Sequence, residues 1–482
     1  MLAADGSRCS GAGWVVVDGG EGMSAAHGSA SPHAGATSPA RLPRWVRLVF
    51  GAGLGGGTVM ERLVFIWLYF FWVHRGAEGG PPLVEPVVFG LLVFGGRVID
   101  AVTDPLVARW SDSHRGRLGR RRPFMLWSGV PYVIVAAVLF LPPVAGPSWV
   151  NTVFLGGGLV VFYVLLTLYL VPHAGLLADL SPAAEDRVDL ATSNATYQLL
   201  GLAVAMMAAP LLLESLGPLG MVAVLGALAV PLLYLPTLID ERRFTRPQPA
   251  TTTLLPAIRA TLANRPFVIA LVATNVLWLG FNLVALNTPL YVTVLAGLDE
   301  GAVALYSGVL LGTSLLLFPV VNIAAKRVGA RRVLIAALVA AGLVVPLLHL
   351  IPAPPFDLEP ATFALIVFAL GGIGLSGLFV IPLAIVAAVA DYDHRRSGQR
   401  REAMYFAVYF FALKLNFGIS TVVSGALLQV LGSPLGVQVT GPVGGVAALA
   451  GAWLFRRYPE QEVLQAARRE TDPPVSQSPP RR

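Results

Sequence analysis

The chain predicts an all-α polytopic membrane protein, with about twelve transmembrane helices arranged as two six-helix bundles. Three observations carry that expectation. Hydrophobic residues make up 55% of the 482 and charged residues only 13%, with a mean hydropathy of +0.71; a soluble chain of ordinary composition carries about 25% charge. Apolar runs long enough to cross a bilayer recur along the whole length. Basic residues gather in alternate loops.

The first six runs lie near 46–73, 83–109, 123–141, 150–178, 188–214 and 217–239. The second six lie near 266–296, 301–325, 333–351, 360–390, 403–430 and 436–455. A charged, Pro- and Thr-rich segment, 240–265, divides the bundles 44–239 and 266–455 and reads as a cytoplasmic linker. Residues 1–43, rich in Gly, Ala and Ser, and 456–482, rich in Pro and Arg, lack the apolar content to bury a core and read as disordered tails. Arginines fill the loops at Arg115–Arg122, Arg242–Arg265, Arg327–Arg332, Arg395–Arg401 and Arg456–Arg457, whereas the opposite loops hold Arg75 and otherwise acids, Glu78, Asp299, Glu300, Asp357 and Glu359. That asymmetry places both termini in the cytoplasm and the chain in the inner (plasma) membrane. It also accounts for a pI near 9.7 without a nucleic-acid partner. Cys9 is the sole cysteine, so no intramolecular disulfide or Cys-based metal site forms. A nucleotide-binding Gly-x-x-x-x-Gly-Lys-Ser/Thr loop is missing, which argues against ATP coupling.

The halves echo each other. Arg117-Leu118-Gly119-Arg120-Arg121-Arg122 after span 2 matches Arg327-Val328-Gly329-Ala330-Arg331-Arg332 after span 8, and Pro172 to Asp179 is echoed by Pro382 to Asp391. Each half keeps one orientation, so the repeats are parallel and suit two bundles around a cavity that opens alternately to each side. The loop arginines fit a cytoplasmic gate, in which Arg120, Arg121, Arg122, Arg187 and Arg331 pair with acids such as Asp112, Asp179 and Asp391 to close one side.

Inside span 2, Arg97, Asp100 and Asp104 fall within about 60° of arc on one helical face. Ionised side chains at that depth cost about 2.5–3.5 kcal/mol each on insertion scales, so three together point into a shared polar site. Carboxylates one turn apart repel, and a bound Na⁺ or proton relieves the repulsion. Thr103 and, on span 4, Thr167 supply hydroxyl oxygens for such a cation, with Asp100 and Asp104 the metal-holding pair if the ion is Na⁺. Lys414, deep in span 11, seeks those same acids, and Arg97 balances part of their charge. Candidate substrate residues are Glu61 on span 1, Tyr169 and His173 on span 4, Asn194 and Gln198 on span 5, and Asn275, Trp278 and Asn282 on span 7. Amides and aromatics suit a sugar; they equally serve as hydrogen-bonding glue between helices.

These residues resemble a known family, the glycoside–pentoside–hexuronide:cation symporters of the major facilitator superfamily. The resemblance rests on Arg97-Val-Ile-Asp100-Ala-Val-Thr103-Asp104-Pro105, on Val171-Pro172 through Asp179, on Asn264-Arg265-Pro266-Phe267, and on Ala390-Asp391-Tyr392-Asp393 leading to Gly398-Gln399-Arg400-Arg401-Glu402 and Lys414. It implies the major facilitator fold and symport of a small molecule with Na⁺, Li⁺ or H⁺, without any other cofactor. It further implies cation ligation by Asp100, Asp104, Thr103 and Thr167, and coupling through Lys414. The positions at which galactoside carriers of this family hold sugar are Gly57, Leu170 and Ala195 or Asn194 here, so the galactoside site does not carry over. Glu61, one turn from Gly57, stands in for the lost acid. The substrate is then a different glycoside or, alternatively, an amphiphile such as the lysolipids that related animal members carry. A remoter alternative is an intramembrane prenyltransferase-like enzyme, because Asp-x-x-x-Asp can also hold Mg²⁺; the second acidic cluster, Asp391 and Asp393, sits on the basic edge and speaks against it. The expected species is a monomer in the bilayer.

Overall fold

The computed structural model describes residues 42–74, 81–180, 184–241, 254–398 and 401–463. Most of both expected tails and residues 242–253 of the linker lie outside them. Helix α1 runs Arg44–His74, its second half in π-helical turns, followed by α2 (Pro86–Ser113), α3 (Arg122–Val138) and α4 (Trp149–Leu180). The long helix α5 (Ala184–Tyr234) is broken at Gly217, whose φ of 70° and ψ of 178° no helix contains. Residues 188–216 and 218–238 are thereby separate arms, each of spanning length. A short amphipathic helix, α6 (Leu254–Ala263), occupies the linker. Then come α7 (Arg265–Leu290), α8 (Val303–Val328), α9 (Ala330–Val344), α10 (Pro360–Ser397), α11 (Glu402–Leu431) and α12 (Leu435–Phe455). Ten helical runs among the described residues are long and apolar enough to cross a membrane, and α3 is a shorter apolar helix.

The sequence repeat reappears as a packing repeat. In the first half α4 packs against α2 and α3; in the second, α10 packs against α8 and α9. Lipid and core are equally apolar, so helices associate through close backbone approach rather than by hydrophobic exclusion. The Gly-rich stretch Gly51–Gly57 serves that purpose. A Cβ on Gly51 would stand 2.2 Å from Ser193 Oγ, and one on Gly201 would stand 2.5 Å from the Gly55 carbonyl, so α1 and α5 nearly touch backbone to backbone.

Between halves the main contacts are α2 on α11 and α5 on α8. They concentrate away from the basic loops. At that opposite end Gln429 on α11 donates to the Glu85 carboxylate and accepts from the Val87 N–H. Nearby, a Cβ on Gly425 would lie 2.2 Å from the Pro86 carbonyl. The same two helices carry the charged site at their middle.

Candidate functional site

Helix α2 places Arg97, Asp100 and Asp104 along one face, and α11 brings Lys414 to it. Lys414 Nζ lies 3.1 Å from Asp100 Oδ1 and 2.7 Å from Asp104 Oδ2, so one ammonium from the second half bridges two carboxylates of the first. Asp100 is fully buried and accepts a 2.6 Å hydrogen bond from Thr167 Oγ1. Thr103 Oγ1 sits 3.3 Å from Thr167 Oγ1. Arg97, only 1% exposed, donates to Glu61 Oε1 at 2.7 Å and lies 3.5 Å from Asp100 Oδ2. Its guanidinium is held between the rings of Tyr163 (4.7 Å) and Phe417 (4.9 Å). Arg62 approaches the same Phe417 ring at 4.7 Å.

Two carboxylate oxygens here have no hydrogen-bond partner among the described residues: Asp100 Oδ2 and Asp104 Oδ1. Together with the Thr103 and Thr167 hydroxyls they form an oxygen-rich set of the kind a hard cation takes. Lys414 Nζ sits between the two acids.

A cavity of about 430 Å³ opens beside this cluster, lined by Glu61, Arg62, Arg97, Asp100, Lys414 and Trp278 among others. Gln198, Thr58 and Tyr409 also line it, and its remaining walls are apolar, including Leu166, Leu170, Leu413 and Phe417. Of the candidate substrate residues, the structure therefore brings Glu61, Gln198 and Trp278 to the cavity and leaves the others out. Tyr169 donates to the Leu233 carbonyl, and His173 stacks on Phe50 with its Nε2 2.9 Å from the Phe50 carbonyl; both tie helices of the first half. Asn282 donates to Asn416 Oδ1, and the Asn416 amide donates to the Asn275 carbonyl, joining α7 to α11. Asn194 does not line the cavity. Asn282 acts as the glue that the sequence allowed as its other role, while the Asn275 amide donates to the Leu271 carbonyl of its own helix.

The expected gate residues occupy the basic-loop end, where Arg120 and Arg121 pair with Asp112 and Asp179 as anticipated. Arg120 Nη2 contacts Asp179 at 2.8 Å, and Arg121 reaches both Asp112 (2.8 Å) and Asp179 (3.2 Å). Arg395 pairs with Asp391 one turn away, and Arg331 donates to the Arg456 carbonyl. Each of these joins residues of one half, so they brace a bundle and do not bridge the two. The cause is local: Arg121 lies across α4 at Gly175, where any Cβ would stand 1.4 Å from its Nη1. The side chain of Arg187 is outside the described residues, and Arg122 contributes a backbone N–H, described next.

Sequence reasoning missed two carboxylates. Glu241, just past α5, accepts backbone N–H bonds from Arg120, Arg121 (2.8 Å) and Arg122 (3.1 Å). Glu460, just past α12, accepts from the matching Arg331 N–H at 2.9 Å. Each acid caps the first turn of the helix after the basic loop, where N–H groups are free and the dipole favours negative charge. Their signal was present: both follow the last apolar run of a half. Tyr163 and Phe417 were also legible, one turn from Thr167 and Lys414 respectively.

A family model described as MFS/sugar transport protein matches residues 49–459. The chain belongs to that family. YagG of Escherichia coli (strain K12), which carries the name of a glycoside/cation symporter, is 27% identical over 402 residues, covering 78% of this chain and 81% of its own. The isoprimeverose transporter of Lactiplantibacillus pentosus is 24% identical, with 76% of each chain covered. Among solved structures, nucleoside transporter NupG superposes with a TM-score of 0.60 at 14% identity, over 86% of this chain and 98% of its own. At that identity the likeness establishes the major facilitator fold alone. The family is one of membrane transporters.

Proposed function

We propose that the chain is a cation-coupled symporter that moves a glycoside-like small molecule by alternating access. One observation carries the reading: a single ammonium of the second half bridges two acids of the first, at the wall of a cavity midway along spanning helices. A Na⁺ or proton taken up by Asp100 and Asp104, with the Thr103 and Thr167 hydroxyls beside them, releases Lys414. That release cuts an ionic tie between the halves, so ion occupancy biases which end of the cavity opens. Substrate bound near Glu61, Gln198 and Trp278 then draws on the same change.

Helices α2 and α11 meet at the end remote from the basic loops, while the loop ion pairs brace each half separately. This is the arrangement of a carrier open toward its basic-loop side. With the break at Gly217 and the shorter helix α3 both counted, the chain crosses twelve times and both termini lie on that side, the cytoplasmic face of the inner membrane. It works there as a monomer, not as an enzyme. The test is flux of radiolabelled glycosides into proteoliposomes under imposed Na⁺ or H⁺ gradients. Uptake rises with the coupling gradient and is lost in Asp104→Asn. Uptake indifferent to both gradients overturns the proposal.

A further inference from the structure

Helix α11 ties the two halves a second time, and without charge. Ten residues beyond Lys414, about 15 Å along the helix axis, Ser424 Oγ lies 3.0 Å from the Tyr69 hydroxyl of α1. Tyr69, Ser424 and their neighbour Asn287 on α7 are all fully buried. Asn287 Nδ2 donates to Ser424 Oγ at 2.9 Å, and Asn287 Oδ1 accepts from the same hydroxyl at 3.0 Å. The amide is itself fixed, since Nδ2 also reaches the Leu283 carbonyl at 2.8 Å. A serine has one hydroxyl hydrogen. With that hydrogen spent on Asn287, Ser424 can only accept from Tyr69, so the phenol is the donor.

The backbone of α1 aims that phenol. Tyr69 sits between two π-helical stretches, Leu63–Trp67 and Phe70–His74, where the wider turn redirects successive side chains. Trp67 donates to the Ala205 carbonyl and Trp72 to the Leu139 carbonyl, both within the first half. Tyr69 instead crosses to the second. Its ring stays with the first half, edge-on to Phe89 of α2 at 5.3 Å. Parting the halves here breaks one neutral bond, leaves Ser424 paired with Asn287, and hands the phenol to water. An ion pair broken at such depth strands a charge; this tie costs only the net worth of a neutral hydrogen bond.

We propose that Tyr69 and Ser424 form a latch that holds the carrier closed at the end remote from the basic loops, with Asn287 the positioning residue that orients the serine hydroxyl. This rests on the alternating-access reading above and names the groups that set its resting balance. Loss of one neutral bond raises the population open at that end about three- to tenfold. Every group concerned is uncharged, so the shift is the same at low and high salt.

The experiment uses the full-length protein in vesicles of known orientation, in a Cys9→Ser background with one reporter cysteine at a time. Thr421→Cys reports the end remote from the basic loops: Thr421 is fully buried, and a Cβ on Gly90 would lie 2.8 Å from its carbonyl. Leu170→Cys, in the cavity wall, reports the other end. A membrane-impermeant maleimide is applied from the side each reporter faces. Tyr69→Phe labels about three- to tenfold faster at Thr421→Cys and no faster at Leu170→Cys. Ser424→Ala does the same and adds nothing to Tyr69→Phe, while Ser424→Thr, which keeps the hydroxyl, labels as the parent does. Unchanged labelling in Tyr69→Phe, faster labelling at both reporters, additive effects, or a shift that vanishes in high salt overturns the latch. Tyr69→Phe keeps the buried ring and carries the test alone should Ser424→Ala fail to fold. Gradient-driven glycoside uptake by the parent, which involves neither reporter, judges the symporter reading separately.

Discussion

On the proposed symport reading, Lys414 occupies the place the coupling cation takes, which gives its removal an unusual sign. Truncating one partner of a buried pair ordinarily leaves an uncompensated charge. Here the acids keep their own means of relief, a mobile cation. Lys414→Gln is therefore expected to bind sodium about tenfold tighter while losing coupled uptake; a titration of melting temperature against NaCl checks the first half and vesicle flux the second. Weaker sodium binding would mean the ammonium helps to build the site. Outside the spans, burial pushes the Asp179 carboxyl above the ordinary carboxylate range, against the pull of Arg121 and Arg120. A carboxyl raised on folding favours the folded state at low pH, and that contribution is lost as pH rises through its folded value. The melting temperature of Asp179→Asn, relative to wild type, should thus fall as the pH is lowered; movement in the other direction would show that the arginines dominate. Asn282→Ala removes one amide link between α7 and α11 and should cost about 0.6 kcal/mol in refolding equilibria, with transport retained.

Each half seats a carboxylate from its last helix under the turn of its basic loop. Gly119, with φ of +105°, and Gly329, with φ of +95°, shape the two seats. The seats are unequal, since Glu241 accepts three backbone N–H groups and Glu460 has one such bond recorded. Glu241→Ala is expected to cost about 2 kcal/mol and Glu460→Ala about 1 kcal/mol, read from denaturation in mixed micelles. Equal losses would show that the three bonds are not independent. The Arg-apolar-Gly-x-Arg-Arg repeat was plain in the sequence, as were the positive-φ glycines it implies. What fills the seat was not, because an acid some 120 residues away reaches it only after the bundle closes.

Across the whole molecule the halves meet along α2 and α11, where Gly425 admits the Pro86 carbonyl. Gly425→Leu should part the halves at the end remote from the basic loops and shift the population toward the state open there. Cys9 is the sole native thiol, so a Cys9→Ser background with a cysteine at Leu170 reports access cleanly. A membrane-impermeant maleimide should label that cysteine from the basic-loop side in the parent, and more slowly in Gly425→Leu. Unchanged labelling would place the pivot elsewhere.

Composition, apolar run length and loop charge determined by themselves that this chain is a two-part helical membrane protein, because those properties depend on the bilayer more than on partners. Helical period alone put Arg97, Asp100 and Asp104 on one face. Tertiary structure decided which polar residues touch the cavity. Asn282, Tyr169 and His173 are chemically suited to a ligand, yet neighbouring helices take up their hydrogen bonds first, and Asn275 spends its amide on its own helix. Arg97, from across the bundle, takes the Glu61 hydrogen bond, while Arg62 lies over the Phe417 ring. A side chain's partners are set by which helices come within about 3 Å, and no local pattern encodes that distance.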